Sequence, residues 1–177
     1  MTIKINDRIS LTEFRKTDKA ALVKYLQDAV ISRNTLTIPH PYTEKDAETW
    51  LKIVFEKYES IGDSTEFVVR NSDGELIGGI GRLVLKGINA HSDEIGYWLA
   101  KPFRGQGIMT EVVEKFTNHC FEYFPNLVRI EARVFSFNKG SVRVLEKAGF
   151  QKEGFLRKAY LKNGKLIDAY LFAKIKQ

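Results

Sequence analysis

The sequence predicts an α+β fold in which helices pack around a mixed β-sheet. Three observations support this class: apolar residues at helical spacing come early, strand-like runs separated by turn residues follow, and strands then alternate with helices. The chain of 177 residues contains no internal repeat, low-complexity tract or linker-like segment. We therefore expect one domain that spans residues 1–177.

The first part of the chain is predicted to contain an extended stretch, two helices and a hairpin. Thr17 or Asp18 is placed to cap the first helix. After a Pro-His-Pro break, Thr43 and Asp46 have the spacing of a capping box and start the second helix. The hairpin turns at 71–74. The apolar positions behind these elements are Ile3, Ile5, Ile9 and Leu11 in the extended stretch, Val23, Leu26 and Val30 in the first helix, Trp50, Ile53, Val54 and Tyr58 in the second, and 67–69 with 76–85 in the hairpin.

The remainder of the chain alternates strands and helices. Gly149 is expected as the C-cap glycine of a helix, and Asn163 with Gly164 is typical of a two-residue hairpin turn. In order, the elements are a strand over 93–100, a glycine-bearing loop over 101–107, a helix with an apolar stripe at Val113, Phe116, Cys120 and Phe124, a strand over 128–134, a helix over 139–148, and a hairpin whose last strand covers 167–175.

The composition is that of a globular protein, with 44% hydrophobic and 28% charged residues. It is too apolar for a disordered chain and too charged for a membrane protein. The first residues lack the apolar core of a signal peptide, and no segment approaches the ~20 apolar residues of a membrane span. We expect a reducing, cytoplasmic setting.

The charge and the single cysteine limit the chemistry further. The 28 Lys and Arg residues against 22 Asp and Glu residues give a net charge of +6, which favours a nucleic acid, an acidic protein or a phosphorylated cofactor as partner. With Cys120 alone, the chain can form neither an internal disulfide nor a multi-thiolate metal site, and the place of this residue on an apolar helix stripe predicts burial. The three histidines have no metal-binding spacing, so we expect no metal.

The most informative segment is 94–110, in which a strand leads into a loop that becomes the first turn of a helix. This arrangement directs backbone N–H groups and the positive helix end, equivalent to roughly half a charge, at one point, where a pyrophosphate fits. Gly105 and Gly107 permit close approach and positive φ, and Arg104 is expected to add a donor beside the phosphates. A plain glycine turn is the alternative. The segment is not a Walker loop, because the Gly-Lys-Ser/Thr ending is missing, and it does not match the dinucleotide motif Gly-x-Gly-x-x-Gly, because position 110 is Thr.

The pattern Arg104-x-x-Gly107-x-Met109 resembles the acetyl-CoA pyrophosphate loop, Gln/Arg-x-x-Gly-x-Gly/Ala, of the GNAT N-acetyltransferase superfamily. The surrounding sequence is most similar to the branch of ribosomal-protein N-terminal acetyltransferases, which is RimJ/RimL-like. Met109 departs from the short motif, so its side chain is expected to point away from the phosphates. The matching blocks are 94–111, 129–134, 138–150, 153–157 and Asp168, and together they extend over nearly the whole chain.

The resemblance implies the GNAT acyl-CoA N-acyltransferase fold, with a mixed, mostly antiparallel sheet that is splayed at the cofactor site and has helices on both faces. The strand 94–100 would separate from 128–134, and pantetheine would bind between them like an added strand. Acetyl-CoA is the implied cosubstrate, and Arg104, Lys139, Arg143 and Lys147 would form a basic rim for its phosphates. The implied cofactor-binding residues are Trp98, Leu99, Ala100, Arg104, Gly105, Gln106, Gly107, Ile108, Met109, Thr110, Asn138 and Ser141.

Acetyl transfer from a thioester needs a neutral amine, a donor for the oxyanion and an acid for the thiolate. Deprotonating a lysine at pH 7 costs about 4.6 kcal/mol, whereas an α-amine costs about 1 kcal/mol. Glu94 is the predicted base, because strand alternation places it on one face with Gly96 and Trp98, and because the resemblance implies a glutamate on this strand. A surface or ion-paired carboxylate is the alternative, and proton transfer through water is left open. The backbone N–H of Leu99 is the predicted oxyanion donor.

The resemblance also implies an acid and a pantetheine contact on the helix that starts near 139. Ser141 would protonate the thiolate and Asn138 would bind the pantetheine, with helix capping as the alternative for both. Tyr160 is the second choice of acid, against the interpretation as an exposed hairpin tyrosine. Three residues of the early helical region, which shapes the acceptor pocket in this fold, would help to select substrate: Arg33, Tyr42 and Trp50.

These observations and the resemblance favour a single-domain, acetyl-CoA-dependent N-acetyltransferase. In it, a protein N-terminal α-amine, of the ribosomal-protein type, attacks the thioester directly. The alternatives are a small-molecule amine as acceptor (an amino acid, a polyamine or an antibiotic) and a non-catalytic CoA- or RNA-binding module. The phosphates of CoA suffice to explain the positive charge, and no basic run interleaved with exposed aromatic residues suggests RNA. No membrane partner is expected, and a second copy of the chain is left open.

Overall fold

The computed structural model describes residues 1–84 and 87–177. Contacts within the chain define two compact units, the first formed by 1–81 and 97–108 and the second by 82–96 and 109–177. The described residues contain eight strands in a mixed, mostly antiparallel sheet, together with helices, so the predicted α+β class is confirmed. The single domain stays a prediction.

The first unit contains an antiparallel run of strands and three helices. Its strands pair in the order β1-β2-β3-β4, so the predicted opening stretch is a short hairpin rather than one strand. A buried apolar cluster that includes Leu22, Leu51 and Val68 joins the helices to this sheet. The elements are β1 (Thr2–Lys4), β2 (Ser10–Thr12), α1 (Lys19–Leu26), α2 (Ala29–Asn34), α3 (Glu44–Ile61), β3 (Glu66–Arg70) and β4 (Leu76–Val84), whose last residues belong to the second unit. Leu85, included in the predicted hairpin, lies outside the described residues.

The prediction of one helix that reaches Val30 was wrong. Asp28 has an extended backbone, and its carboxylate accepts the Val30 amide, so a separate helix begins after it. The predicted cap at the start of α1 was also wrong. Asp18 is buried and accepts the Arg15 amide at 2.7 Å, while its two oxygens pair with Arg70, each at 2.8 Å.

The capping box at the start of α3 is confirmed, since the Thr43 hydroxyl accepts the Asp46 amide and the Asp46 carboxylate accepts the Thr43 amide. The apolar face of this helix was predicted only in part. Ile53 and Tyr58 are 48% and 46% exposed. The buried face follows the spacing i, i+4, i+7 through Ala47, Leu51 and Val54.

The second unit contains the remaining strands in the order β5-β6-β8-β7. The β5–β6 pairing is parallel, and the β6–β8 and β8–β7 pairings are antiparallel. Gly149 ends α5 at φ +85°, and Asn163 and Gly164 form the predicted hairpin turn at φ +49° and +73°. The elements are β5 (Ser92–Leu99), α4 (Ile108–Tyr123), β6 (Arg129–Phe135), α5 (Lys139–Lys147), β7 (Gln151–Lys162) and β8 (Lys165–Ile175); β5 ends and α4 begins within the first unit.

The parallel pairing of β5 with β6 is short. It runs from Ser92 opposite Arg129 to Glu94 opposite Glu131 and ends there, although β6 continues to Phe135 in register with β8. The pairing therefore stops at Glu94, the residue that the sequence singled out as a base.

Candidate active site

The glycine loop before α4 has the backbone that its sequence predicts. Gly105 and Gly107 have φ values of +77° and +80°, a region that residues with a Cβ adopt only at a cost. A Cβ built on either residue would have no atom within 4 Å, so the backbone conformation, rather than crowding, requires glycine. The open surface of this loop and the N-terminus of α4 directly after it suit an anion. Met109 is buried, in keeping with the expectation that its side chain avoids the phosphates.

Arg104 makes two contacts that differ from its expected role. Its Nε donates to the Leu99 carbonyl at 2.9 Å, and its Nη2 lies 2.9 Å from the carboxylate of Asp28. The guanidinium therefore binds protein groups at the start of the loop, where the sequence suggested a donor to the phosphates. Asp28 was missed because it lies far from Arg104 in the sequence.

The end of β5 offers fewer backbone groups than expected. The amide of Ala100 donates to the Ile77 carbonyl at 2.8 Å, and the carbonyl of Ala100 accepts the Phe103 amide at 3.0 Å. Ala100 is also fully buried. A strand-like contact to pantetheine at this end would rest on Trp98 and Leu99.

Two consecutive glycines on β4 make room for Trp98. A Cβ on Gly78 would lie 2.6 Å from the Trp98 carbonyl oxygen, and a Cβ on Gly79 would lie 2.7 Å from the indole Nε1. Trp98 itself packs against the buried apolar cluster of the first unit. The Gly-Gly pair in an otherwise apolar strand was a sequence signal for this close approach.

In the second unit, Glu94 lies in a cluster of charged residues. Its half-buried carboxylate pairs with Arg133, which also lies 3.2 Å from Glu131. Burial raises the pKa of Glu94; the positive charge of Arg133 opposes this effect, and the negative charge of Glu131 reinforces it. A carboxylate with a raised pKa and a fixed cationic neighbour can serve as a proton acceptor. Arg133 was within a matching sequence block but was not predicted as a site residue.

Tyr160 is half-buried, so the interpretation as an exposed hairpin tyrosine was wrong. Its half-buried ring contacts Phe135 with centroids 5.5 Å apart. Burial raises the pKa of Tyr160, and the charge of Glu94 contributes in the same direction. Before Tyr160, β7 bulges, with Lys158 at φ +51° and its amide donating to the Asp168 carboxylate at 2.7 Å.

Asn138 caps α5, as the alternative interpretation had it. Its Oδ1 accepts the Ser141 amide at 3.2 Å, and the side chain of Ser141 is half-buried. The remaining rim residues of the second unit, Lys139, Arg143 and Lys147, are exposed along α5.

The proposed acceptor-side residues divide between core and surface. Tyr42 is buried, and this burial raises the pKa of its phenol to about 12. Trp50 contacts Phe14 edge-on with centroids 6.2 Å apart, and it packs against the same apolar cluster. Arg33 is exposed in the last turn of α2. Of the three, Arg33 alone is exposed.

The sequence pattern that defines the acetyltransferase (GNAT) domain matches residues 8–151. The chain belongs to the GNAT acetyltransferase family. The expected family and fold are thereby confirmed, and this GNAT protein is an acetyl-CoA-dependent N-acetyltransferase.

Relatives of this acetyltransferase differ in the acceptor that their names give. It is 32% identical to the Escherichia coli ribosomal-protein-serine acetyltransferase over 64% of this chain and 62% of the relative. It is 26% identical to the Escherichia coli L-amino acid N-acetyltransferase AaaT over 81% of this chain and 83% of the relative. The solved structure of Mycobacterium smegmatis RimJ in complex with CoA-disulfide superposes with a TM-score of 0.79 and 28% identity, over 94% of this chain and 81% of that chain.

Two further properties concern metals and membranes. Within residues 1–84 and 87–177, no three His, Cys, Asp or Glu side chains are grouped so that they can hold a metal ion. Every helix in the described part of the chain is too short or too polar to span a bilayer.

Proposed function

We propose that this acetyltransferase transfers the acetyl group of acetyl-CoA to the N-terminal α-amine of a protein. The observation that supports this proposal most directly is the ion-paired Glu94, whose pKa is raised by burial. An α-amine needs only a modest base, because it loses its proton at pH 7 for about 1 kcal/mol. Deprotonating a lysine side chain at pH 7 costs about 4.6 kcal/mol, so a lysine acceptor would need a much stronger base.

The residues of loop 104–108 fit the pyrophosphate of acetyl-CoA. Their positive-φ glycines leave an open surface, and the first amides of α4 follow at once. Backbone amides and the helix end supply the attraction for the anion. Trp98 and Leu99 would hold the pantetheine arm. Because Oδ1 of Asn138 is engaged in capping, its Nδ2 is the atom that would donate to a pantetheine carbonyl.

In the proposed reaction, Glu94 accepts the proton of the attacking amine, directly or through water. The Leu99 amide donates to the acetyl oxygen as negative charge develops there. Tyr160 and Ser141 remain the two choices for the acid that protonates the departing sulfur. The raised pKa of Tyr160 favours its protonated phenol, and its ring packs against Phe135 on the neighbouring part of the second unit.

The two acceptor classes are separated by a substrate panel. Isothermal titration calorimetry first measures acetyl-CoA binding by the wild-type chain. Thiol release is then measured with peptides that carry a free N-terminus, with N-blocked lysine peptides, and with free amino acids, polyamines and aminoglycosides.

The proposal expects the highest kcat/KM with free-N-terminus peptides. Higher activity on N-blocked lysine peptides, or on small amines alone, would overturn the proposed acceptor while leaving the acetyltransferase activity intact. Absence of acetyl-CoA binding at concentrations near ~1 mM, a weak affinity by any standard, would overturn the proposed cofactor site.

A further inference from the structure

The junction between α1 and α2 contacts the start of the glycine loop through Asp28. One carboxylate oxygen, Oδ1, accepts the Val30 amide at 3.0 Å and caps α2. The other, Oδ2, lies 2.9 Å from Nη2 of Arg104. The side chain of Asp28 is 17% exposed, so this ion pair is partly shielded from water. One carboxylate therefore serves both a helix and the loop.

Arg104 completes the connection on the loop side. Its Nε donates to the Leu99 carbonyl, while Nη2 contacts Asp28. Oδ2 of Asp28 accepts no hydrogen bond, so its contact with Nη2 is an ion pair without hydrogen-bond alignment. Since a guanidinium is a rigid planar fork, this ion pair and the hydrogen bond of Nε together restrain where the group lies. The first residue of the loop is therefore held at the end of β5 and at the N-terminus of α2.

A second contact joins the same two segments. Tyr25, near the end of α1, meets Phe103 edge-on with ring centroids 6.2 Å apart. Phe103 directly precedes Arg104 in the chain. Two neighbouring loop residues therefore contact the same helix junction, Arg104 through an ion pair and Phe103 through a ring contact. Both contacts restrain the start of the loop.

We propose that Asp28 is a positioning residue for the binding of acetyl-CoA. Asp28 holds Arg104 against Leu99 and thereby keeps the backbone amides of residues 105–108 in place for the pyrophosphate. The inference rests on the proposed role of this loop. The carboxylate of Asp28 balances the charge of Arg104, so phosphate binding depends mainly on the loop amides and the N-terminus of α4.

The competing arrangement makes the opposite prediction. If Arg104 binds the phosphates directly, Asp28 competes with them for the guanidinium, and removing its charge would strengthen acetyl-CoA binding. The direction in which the acetyl-CoA affinity changes when Asp28 loses its charge therefore shows whether Asp28 positions Arg104 or competes with the phosphates for it.

The test is Asp28→Asn, which removes the charge but keeps a side chain that caps helices as well as Asp does. We expect the Kd for acetyl-CoA, measured by calorimetry, and its KM to rise about tenfold, equivalent to ~1.4 kcal/mol. The acceptor KM and kcat should change by less than about twofold, because the chemical step is not touched. An unchanged or lower Kd would overturn the inference.

Three further variants complete the design. Asp28→Ser also caps a helix but is too short to reach Arg104, and it should reproduce the tenfold loss of Asp28→Asn. Arg104→Lys keeps the charge but cannot make both contacts, and combining it with Asp28→Asn should add little, because the two residues act as one pair. Asp73→Asn, an exposed turn position in the same unit, is the matched control for charge and should leave the Kd unchanged.

Failure of the inference is distinguishable from failure of the proposed site. If the wild-type chain binds acetyl-CoA and Asp28→Asn binds it equally well, the positioning role alone is wrong. If the wild-type chain does not bind acetyl-CoA, the proposed function itself is wrong. Thermal unfolding of each variant, with an unchanged Tm, checks that the loss of binding does not come from a loss of folded protein.

Discussion

The two compact units of the chain each contain a buried Arg–Asp pair, but they differ in net charge. In the first unit, Arg70 donates to both carboxylate oxygens of Asp18. In the second, Arg82 pairs with Asp93 at 2.6 Å, and its guanidinium lies 3.8 Å from the Phe124 ring centroid. The first unit has thirteen basic and thirteen acidic residues, and the second has fifteen and nine, so the whole formal excess of +6 belongs to the second.

This difference changes the meaning of the net charge. The glycine loop proposed to bind the pyrophosphate lies in the unit without net charge, and Arg104 is paired with Asp28 there. Binding of phosphate by this loop would therefore depend on backbone geometry, whereas the excess of basic residues lies in the other unit, where α5 and β7 carry several of them. The positive net charge indicated a polyanionic ligand, but it did not indicate where that ligand binds.

The largest expected effect is on stability, from Asp18→Ala. The substitution leaves Arg70 buried without its carboxylate and should lower the free energy of unfolding by about 4 kcal/mol. Asp93→Ala should cost less, because Asp18→Ala removes the acceptor of the Arg15 amide as well as both hydrogen bonds to Arg70. Urea unfolding followed by circular dichroism measures both, with Asp18→Asn as a milder variant if the alanine protein does not fold. A larger loss for Asp93→Ala would contradict this ranking.

Glu94→Gln should reduce kcat by about 100-fold at pH 7, the scale of a lost general base. The loss should shrink toward pH 9, because an α-amine with a pKa near ~7.8 is then already neutral. Wild-type kcat/KM should rise with pH through the pKa of Glu94, which burial raises from its ordinary value. Pre-steady-state or steady-state pH profiles measure both effects.

Glu131→Gln is the matched control for the Glu94 variant. It makes the same change at the residue paired with Glu94 across the strands. Because it removes a negative neighbour, it should lower the pKa of Glu94 and move the acidic limb of the profile to lower pH, with turnover at its plateau retained. A pH profile that Glu94→Gln leaves unchanged would exclude Glu94 from the proton transfer.

Gly107→Ala should raise the KM for acetyl-CoA about tenfold, because alanine resists the left-handed backbone by about 1–2 kcal/mol and would reshape the loop. Gly62→Ala is the control for strain alone. Gly62 has φ +73° at the end of α3 and equally open surroundings, so it should lose similar stability without a change in KM. Equal KM values for both variants would mean that the loop conformation does not matter for the cosubstrate.

The smallest expected effect concerns the basic surface of the second unit. Replacing Arg157 and Lys158 by Gln should lower kcat/KM for an acidic acceptor peptide about threefold at low salt, an effect that disappears as salt screens it. Replacing Lys4 and Arg8 in the first unit removes the same charge and should have no such effect. Equal behaviour of the two double variants would show that the excess charge does not steer acceptors.

Features decided by neighbouring residues were predictable from the sequence. The capping box at Thr43 and Asp46 and the turn at Asn163 and Gly164 depend on residues within one turn of each other, and both are present. The glycine loop followed from a pattern of the same short range, and the fold class followed from the order of such local patterns along the chain.

Pairings of charged residues across the fold were not predictable in this way. Asp18 has the sequence context of a helix cap, but its partner Arg70 lies 52 positions away. Arg133 reaches Glu94 across 39 positions, and the contact of Arg104 with Asp28 bridges a longer interval. Each of these contacts joins residues that are far apart in the sequence, so no pattern of neighbouring residues indicates it.

The chain has a natural optical probe in one unit and a natural chemical probe in the other. Both tryptophans, Trp50 and Trp98, pack on the apolar cluster of the first unit, whereas the one cysteine, Cys120, is buried on α4 in the second. Tryptophan emission therefore reports the opening of one unit, and the rate at which a thiol reagent labels the protein reports the opening of the other. For a single cooperative domain, the two signals should change at the same urea concentration without any engineered label.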